Sequence, residues 1–196
     1  MIENQYFPNV IVINSLSLGT YYVLEQYENY QKMSFRNRTM IVGANGAIPL
    51  SIPLEDGRDQ KRRIRDVKIS YTSNWQVQHL RTIASCYNRS PWFEFYSNEL
   101  ESLFEEKPKY LFDWNLKCVE WVFQKLELGI DIIQTESYKS NYEDPAILDL
   151  RNQIRPATLQ NFDHQCPKYS QVFEDRIGFL PGMSSLDLLF CTGRKR

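Results

Sequence analysis

Histidine is scarce in this sequence. Only His79 and His164 occur in 196 residues, so a site built on several imidazoles is excluded. Four cysteines, Cys86, Cys118, Cys166 and Cys191, are spread too widely for a C-x-x-C pair. They form neither a disulfide framework nor the spaced ligand pairs of a structural zinc site. No apolar run approaches the roughly 18 residues a membrane span needs. The opening MIENQYFPN shows no basic stretch followed by an apolar one, so no secretory signal is expected. Charge of one sign is also lacking. The formal net charge is -1, whereas bulk affinity for nucleic acid needs many uncompensated Lys and Arg. The densest basic run, Arg58 to Arg65, is interleaved with aspartates and reads as a solvated loop. These shortages point to a reduced, cytoplasmic protein that neither spans a membrane nor binds nucleic acid.

What the chain does hold is aromatic and evenly mixed. Aromatics make up 14% and hydrophobic residues 42%, enough for one bulky core, and the length suits a single domain over residues 1–196. Segments of period 2 and period 3.6 alternate. The expected fold class is therefore α/β: a mixed sheet with an edge hairpin and several packed helices. Thr20–Gln26, Arg36–Val42, Ile48–Leu54 and Arg65–Ser70 read as strands. Val10–Leu16 is β-branched and favours a strand, yet Pro8 can open a helix there. Helices are expected from Ser73 or Asn74 to Tyr87, from Pro91 through Phe104, and from Pro108 to a cap at Gly129. IDIIQT then reads as a strand, which makes half of a βαβ unit. Ser137–Asp144 is a polar loop, and Asn152–Tyr169 a long irregular connection of the kind that is usually functional or disordered.

Asn45-Gly46 is a strong hairpin signal. A two-residue turn there makes position 49 a hydrogen-bonded one, and Pro49 has no N–H to give. A four-residue loop over Ala44–Ala47 turns Pro49 and Pro53 to a free edge. In the first strand Arg36 and Arg38 are two apart, roughly 6.5–7 Å between Cα atoms on one face. With Met40 and Val42 facing the core, both guanidinium groups stand at its rim, where paired forks can hold a carboxylate or phosphate. Solvated arginines bonded to nearby carboxylates are the plainer alternative.

In SNWQVQHLRTIASCY two stripes share a helix. Val77, Leu80, Ile83, Ala84 and Tyr87 form one; Trp75, His79, Thr82 and Cys86 form the other. Gln78, Arg81 and Ser85 remain for solvent. The helix is buried on two sides or walls a cleft. His79 then serves as a general acid or base, or is a core histidine bonded to a backbone carbonyl. Near the C-terminus, Ser184 and Asp187 read as a capping-box variant on a short helix closed by Gly193. Tyr169 and Gln171 read as a turn and a strand end.

The stretches QYFPN, ENYQKMSFRNR, GANGAIPLSIPL, NWQVQHLRTIASCYNRSPWFEFY, PKYSQVF and GFLPGMSSLDLLF, in that order, resemble the WbqC-like family, most closely its shorter members. Longer members carry His-Pro-x-Tyr-x-Gln and a Gly-rich segment before it. Here Cys166 stands at the His position, ahead of Pro167, Tyr169 and Gln171, and the Gly-rich segment is missing, so no catalytic role passes to that histidine. The resemblance implies a part in bacterial surface-polysaccharide (O-antigen-type) biosynthesis, and by analogy a Rossmann-like layout. It implies no cofactor and no established reaction.

Two functions follow as expectations. In the first, an enzyme acts on a small anionic metabolite, such as a nucleotide-linked sugar or an activated acyl or amino donor. Arg36 and Arg38 hold the anion, Asn37 and Gln31 offer amides, Lys32 adds a cation, Trp75 forms an apolar wall and His79 transfers the proton. In the second, a non-catalytic module binds a glycan precursor or a partner enzyme, which suits the scarcity of acid–base groups.

Overall fold

A computed structural model describes residues 1–16 and 19–193 of the chain. Three short parallel strands form one sheet in the order β1 (Ile2–Glu3), β2 (Tyr21–Glu25), β5 (Asp131–Gln134). Strands β3 (Arg38–Gly43) and β4 (Gly46–Ser51) form a separate antiparallel hairpin. The helices are α1 (Val10–Ser15), α2 (Trp75–Tyr87), α3 (Phe93–Glu105), α4 (Leu111–Lys125), the single turn α5 (Glu174–Ile177) and α6 (Ser185–Thr192). The α/β class read from the sequence is the one observed. Among the described residues no helix is long and apolar enough to cross a membrane.

The ambiguous segment after Pro8 is helix α1. Its β-branched residues Val10, Ile11, Val12 and Ile13 are all buried. The Asn9 side chain accepts a hydrogen bond from the Ile11 N–H at 2.9 Å and so starts the helix against the strand propensity of the run. Core burial all round the first turn outweighs that propensity. The reverse happened at Arg65–Ser70. Ile64–Asp66 is a 3₁₀ turn, and only isolated bridges follow, Lys68 with Tyr110 and Ile69 with Leu54. These residues spend their backbone bonds on the loop before α4 and on residues 53–55 after β4 instead of on a ladder.

The hairpin resolves its proline problem differently from the expected four-residue loop. Gly43 pairs with Gly46, so Ala44-Asn45 form a two-residue turn one position earlier than Asn45-Gly46. The Ile52 N–H bonds the Asn37 carbonyl at 2.8 Å. Hydrogen-bonded rungs therefore fall at 39/50 and 41/48, and Pro49 sits opposite Met40 on a rung without ladder bonds. Its nitrogen faces the free edge of β4, as the proline argument required. The inward face carries Thr39, Ile41, Leu50 and Ile52, all buried.

Helix α2 is buried on two sides. Trp75, His79, Ile83, Cys86 and Tyr87 are its buried apolar and aromatic positions, and the three residues left for solvent, Gln78, Arg81 and Ser85, are exposed. Its Trp75 side meets other helices: Trp75 packs edge-on against Trp114 of α4 at 5.7 Å and against Phe104 of α3 at 6.3 Å. A core surrounds Trp75, not a cleft.

Gly46 has φ +126° with open space around it. Only the backbone opposes a side chain there, so Gly46→Ala should cost about 1–3 kcal/mol of stability, read from urea melts with an unchanged m-value.

Candidate functional site

In open parallel sheets, ligands gather outside the carboxyl ends of the strands. Here β1 and β2 end side by side on Glu3 and Glu25, which pair in register and are wholly buried. Glu28, just past β2, joins them. Each carboxylate is fully engaged. Glu3 accepts from the Gln5 side chain at 2.9 Å and from the Asn152 N–H at 2.8 Å. Glu25 accepts from the Tyr27 N–H, the Thr135 hydroxyl and Arg151 Nη1. Glu28 takes Arg36 side-on, with Nε at 2.8 Å and Nη2 at 2.6 Å. Burial pushes the Glu28 carboxyl up; Arg36 opposes the rise, and Glu3 and Glu25 add to it. Three buried glutamates thus face two arginines, Arg36 and Arg151, and Arg151 is shared with Asp149, so carboxylates outnumber guanidinium groups here.

The triplet that looked like one rim splits into three roles. Arg36 lies before β3 begins and is entirely enclosed. Its charge is spent on Glu28, and its Nη2 also reaches Asn152 Oδ1 at 2.8 Å. Its Nη1 is buried without a partner. Asn37 is a bracket: its Oδ1 accepts from the Tyr30 hydroxyl at 3.0 Å and its Nδ2 donates to the Ile52 carbonyl at 3.0 Å. Arg38 is half-buried at the start of β3, opposite Ser51. Its Nε is enclosed without a partner, and no carboxylate pairs with it among the described residues. Burial raises the Tyr30 hydroxyl, and the charges of Arg38, Arg36 and Arg58 oppose that rise. Gln31 and Lys32 lie on the exposed loop before the triplet. Lys32 meets Asp59 at 2.7 Å in solvent, a contact of small worth.

His79 is buried within an aromatic shell of Tyr6, Trp75 and Phe104. The Tyr6 hydroxyl lies 3.0 Å from Nδ1, and the ring also bonds the Ser51 backbone. Ser51 pairs with Arg38, so His79 is one rung behind the triplet, but its polar atoms point into the protein. Burial lowers its pKa to about 4, with the Ser51 bond opposing. Neutral at physiological pH and with both nitrogens occupied, it braces the hairpin against the Tyr6 loop.

A second polar junction was missed by the sequence reading. Asp187 does not cap α6; Ser184 alone does, accepting from the Leu186 N–H. The Asp187 carboxylate is wholly buried and accepts from Tyr87 at 2.7 Å, Tyr169 at 2.6 Å and Gln171 at 2.8 Å. Burial pushes its carboxyl up, and these donors hold it back. The signal was present in Tyr169 and Gln171: two apart in an extended segment, they share a face. Cys166 meets the turn before α6 through its sulfur, which accepts from the Gly182 N–H at 3.2 Å.

The roomier cavities lie elsewhere. One of about 440 Å³ is bounded by β1, β2 and residues 146–150; another of about 430 Å³ lies between Trp92, Tyr169 and α6. Neither is lined by the triplet, Trp75 or His79.

These features define an α/β protein with a short parallel sheet, a polar cluster closed over its carboxyl edge and an arginine-bearing hairpin beside it. The WbqC-like protein family model matches residues 4–161, and the chain belongs to that family. The matched range holds Glu25, Glu28, the triplet, His79 and Asn152; Glu3, PKYSQVF and GFLPGMSSLDLLF fall outside it. No curated protein and no solved structure matched the chain.

Two measurements test this description. The unfolded chain protonates His79 near its ordinary 6.5, while the folded chain keeps it neutral down to about 4. Its contribution is therefore full above pH 6.5 and is lost as pH falls toward 4, by up to about 3 kcal/mol. Melts of His79→Gln should be flatter over that window than those of the unsubstituted protein. Arg36→Ala leaves Glu28 buried and unpaired and should cost about 3–5 kcal/mol, seen as a large drop in the urea midpoint.

Proposed function

We propose that this protein serves bacterial surface-polysaccharide assembly by binding a small anionic donor, a nucleotide-linked sugar foremost, beside the triplet. The observation that carries this reading is Arg38: a half-buried guanidinium whose enclosed Nε has no partner, and whose charge acts on Tyr30 together with those of Arg36 and Arg58. A phosphate meeting the open part of this half-buried guanidinium makes charge-assisted bonds, about twice as strong as neutral ones. Gln31 and Lys32 stand on the loop at the outer edge. Asn37 fixes the Tyr30 hydroxyl, while Trp75 and His79 support the hairpin from behind. Membership of the family and the implied polysaccharide role support the choice of a sugar donor over other anions.

The sealing of His79 favours the second reading, a binding module without catalysis, over proton transfer by that residue.

Thermal-shift and calorimetric titrations with UDP-glucose, UDP-N-acetylglucosamine, inorganic pyrophosphate and acetyl coenzyme A provide the test. A uridine diphosphate compound should stabilise the fold by mass action. Arg38→Ala should weaken it at least tenfold, about 1.4 kcal/mol, with the melting temperature of the free protein little changed. Binding that survives Arg38→Ala unaltered defeats the assignment. Recovery of the bound donor unchanged after long incubation identifies a module; turnover identifies an enzyme.

A further inference from the structure

Arg36 is wholly enclosed, yet only one edge of its guanidinium is filled. Glu28 takes the Nε–Nη2 edge. On the Nη1–Nη2 edge, Nη2 meets Asn152 Oδ1 at 2.8 Å and Nη1 meets nothing. An unpaired buried donor is costly, so this edge is an incomplete binding surface. Asn152 itself has φ +59°, a left-handed conformation that Asn tolerates but does not prefer. Its backbone N–H donates to Glu3 at 2.8 Å. One residue thus gives an acceptor to Arg36 and a donor to Glu3.

A neighbouring pair of sugar hydroxyls, or a hydroxyl beside an N-acyl carbonyl, offers the same acceptor and donor. Such a group is neutral. That matters because carboxylates already outnumber arginines in the cluster, so an anion would be repelled where a hydroxyl is not.

Asn152 ends a segment, residues 137–152, with no regular secondary structure and mostly exposed side chains. Arg151 clasps it. Its guanidinium bonds Asp149, the carbonyls of Lys139 and Ser140, and Glu25 on the sheet, and it lies 5.5 and 5.2 Å from the Tyr138 and Tyr142 rings. Leu150 adds a backbone bond to Met1 at 2.9 Å. Segments with few buried apolar contacts open at small cost.

We propose that the Arg36–Glu3 edge under Asn152 is a subsite for the hydroxyl or N-acyl groups of a nucleotide-linked sugar, and that residues 137–152 are the strap that closes it. This rests on the reading that Arg38 holds the donor's diphosphate. Arg36 and Arg38 are two residues apart, roughly 7 Å between Cα atoms at most, which suits a sugar ring attached directly to the phosphate that Arg38 binds. When the sugar enters, the Asn152 carboxamide leaves Nη2, a sugar oxygen takes its place and also serves Nη1, and Arg151 releases Glu25.

The test compares UDP with UDP-glucose and UDP-N-acetylglucosamine by calorimetry. Asn152→Gly suits the positive φ and keeps the N–H to Glu3, removing only the carboxamide. It should raise the affinity of at least one UDP-sugar relative to UDP threefold or more, with UDP itself unchanged. Hydrogen exchange on the unsubstituted protein gives an independent reading: the Leu150 and Asn152 amides should lose protection with the UDP-sugar and keep it with UDP. Arg151→Ala should unprotect the same amides without ligand. If UDP binds through Arg38 but Asn152→Gly leaves the ratio unchanged, the subsite is wrong and the anion site stands. Protection that is equal with UDP and UDP-sugar removes the strap. If neither UDP nor a UDP-sugar binds any variant, both readings fall.

Discussion

The side-on pair of Arg36 and Glu28 is the constraint around which the rest of the fold is arranged. Both side chains are out of solvent, 0% and 4% exposed, and neither charge survives there alone. Their backbones are held by different neighbours. The Arg36 carbonyl accepts from Asn115 of α4 at 2.7 Å. The Glu28 carbonyl accepts from the Ile64 N–H at 2.9 Å. Through Asn152 the same guanidinium reaches the far end of the connection after β5. The loop after β2, the hairpin, α4 and residues 149–152 are therefore registered against one ion pair. Such a pair adds little net stability over apolar packing; its attested use is in fixing geometry, and here it fixes where Arg38 begins β3.

Much of this fold was legible in the sequence where two signals agreed. In α2 the helical spacing and the polar remainder both indicated Gln78, Arg81 and Ser85 as the solvent face. The helix from Leu111 and the strand after it were read from apolar period, but the expected cap at Gly129 is not the helix end: the C-cap is Leu126, and Glu127 takes the left-handed φ of +52° right after it. The illegible parts are those where local preference and tertiary demand diverge. Val10–Ile13 has strand propensity, but its surroundings bury every face, which suits a helix. Residues 65–70 alternate like a strand, but no neighbouring strand is available, and their backbone bonds go to single bridges. In the hairpin the prolines correctly demanded a free edge, while the turn moved by one residue, because the demand constrains parity and not loop length.

The site was legible in residue type and illegible in charge balance. Sequence spacing places Arg36 and Arg38 together but cannot show that Glu28, eight residues earlier, will spend one of them. Nor can it show that Glu3 and Glu25 end adjacent parallel strands, since that pairing depends on the crossover through residues 4–20. His79 has the chemistry of a catalyst and the position of a brace; Tyr6 decides this, from 73 residues away. Asp187 was hidden for the same reason, its three donors coming from two distant segments.

The uneven charge distribution then restricts what this edge of the sheet accommodates. Near Tyr30 the guanidinium of Arg38 has no carboxylate partner among the described residues, and an anion there is what the proposed reading requires. Beneath Asn152 three glutamates outnumber two arginines, so the inner region rejects one. Uniform binding of a phosphate-rich ligand along both regions would place negative charge against Glu3 and Glu25 in a low-dielectric interior, where repulsion is poorly screened. A ligand that is anionic at one end and polar but uncharged at the other meets both conditions at once. A nucleotide-linked sugar has that division of charge, whereas free pyrophosphate and a simple dicarboxylate do not.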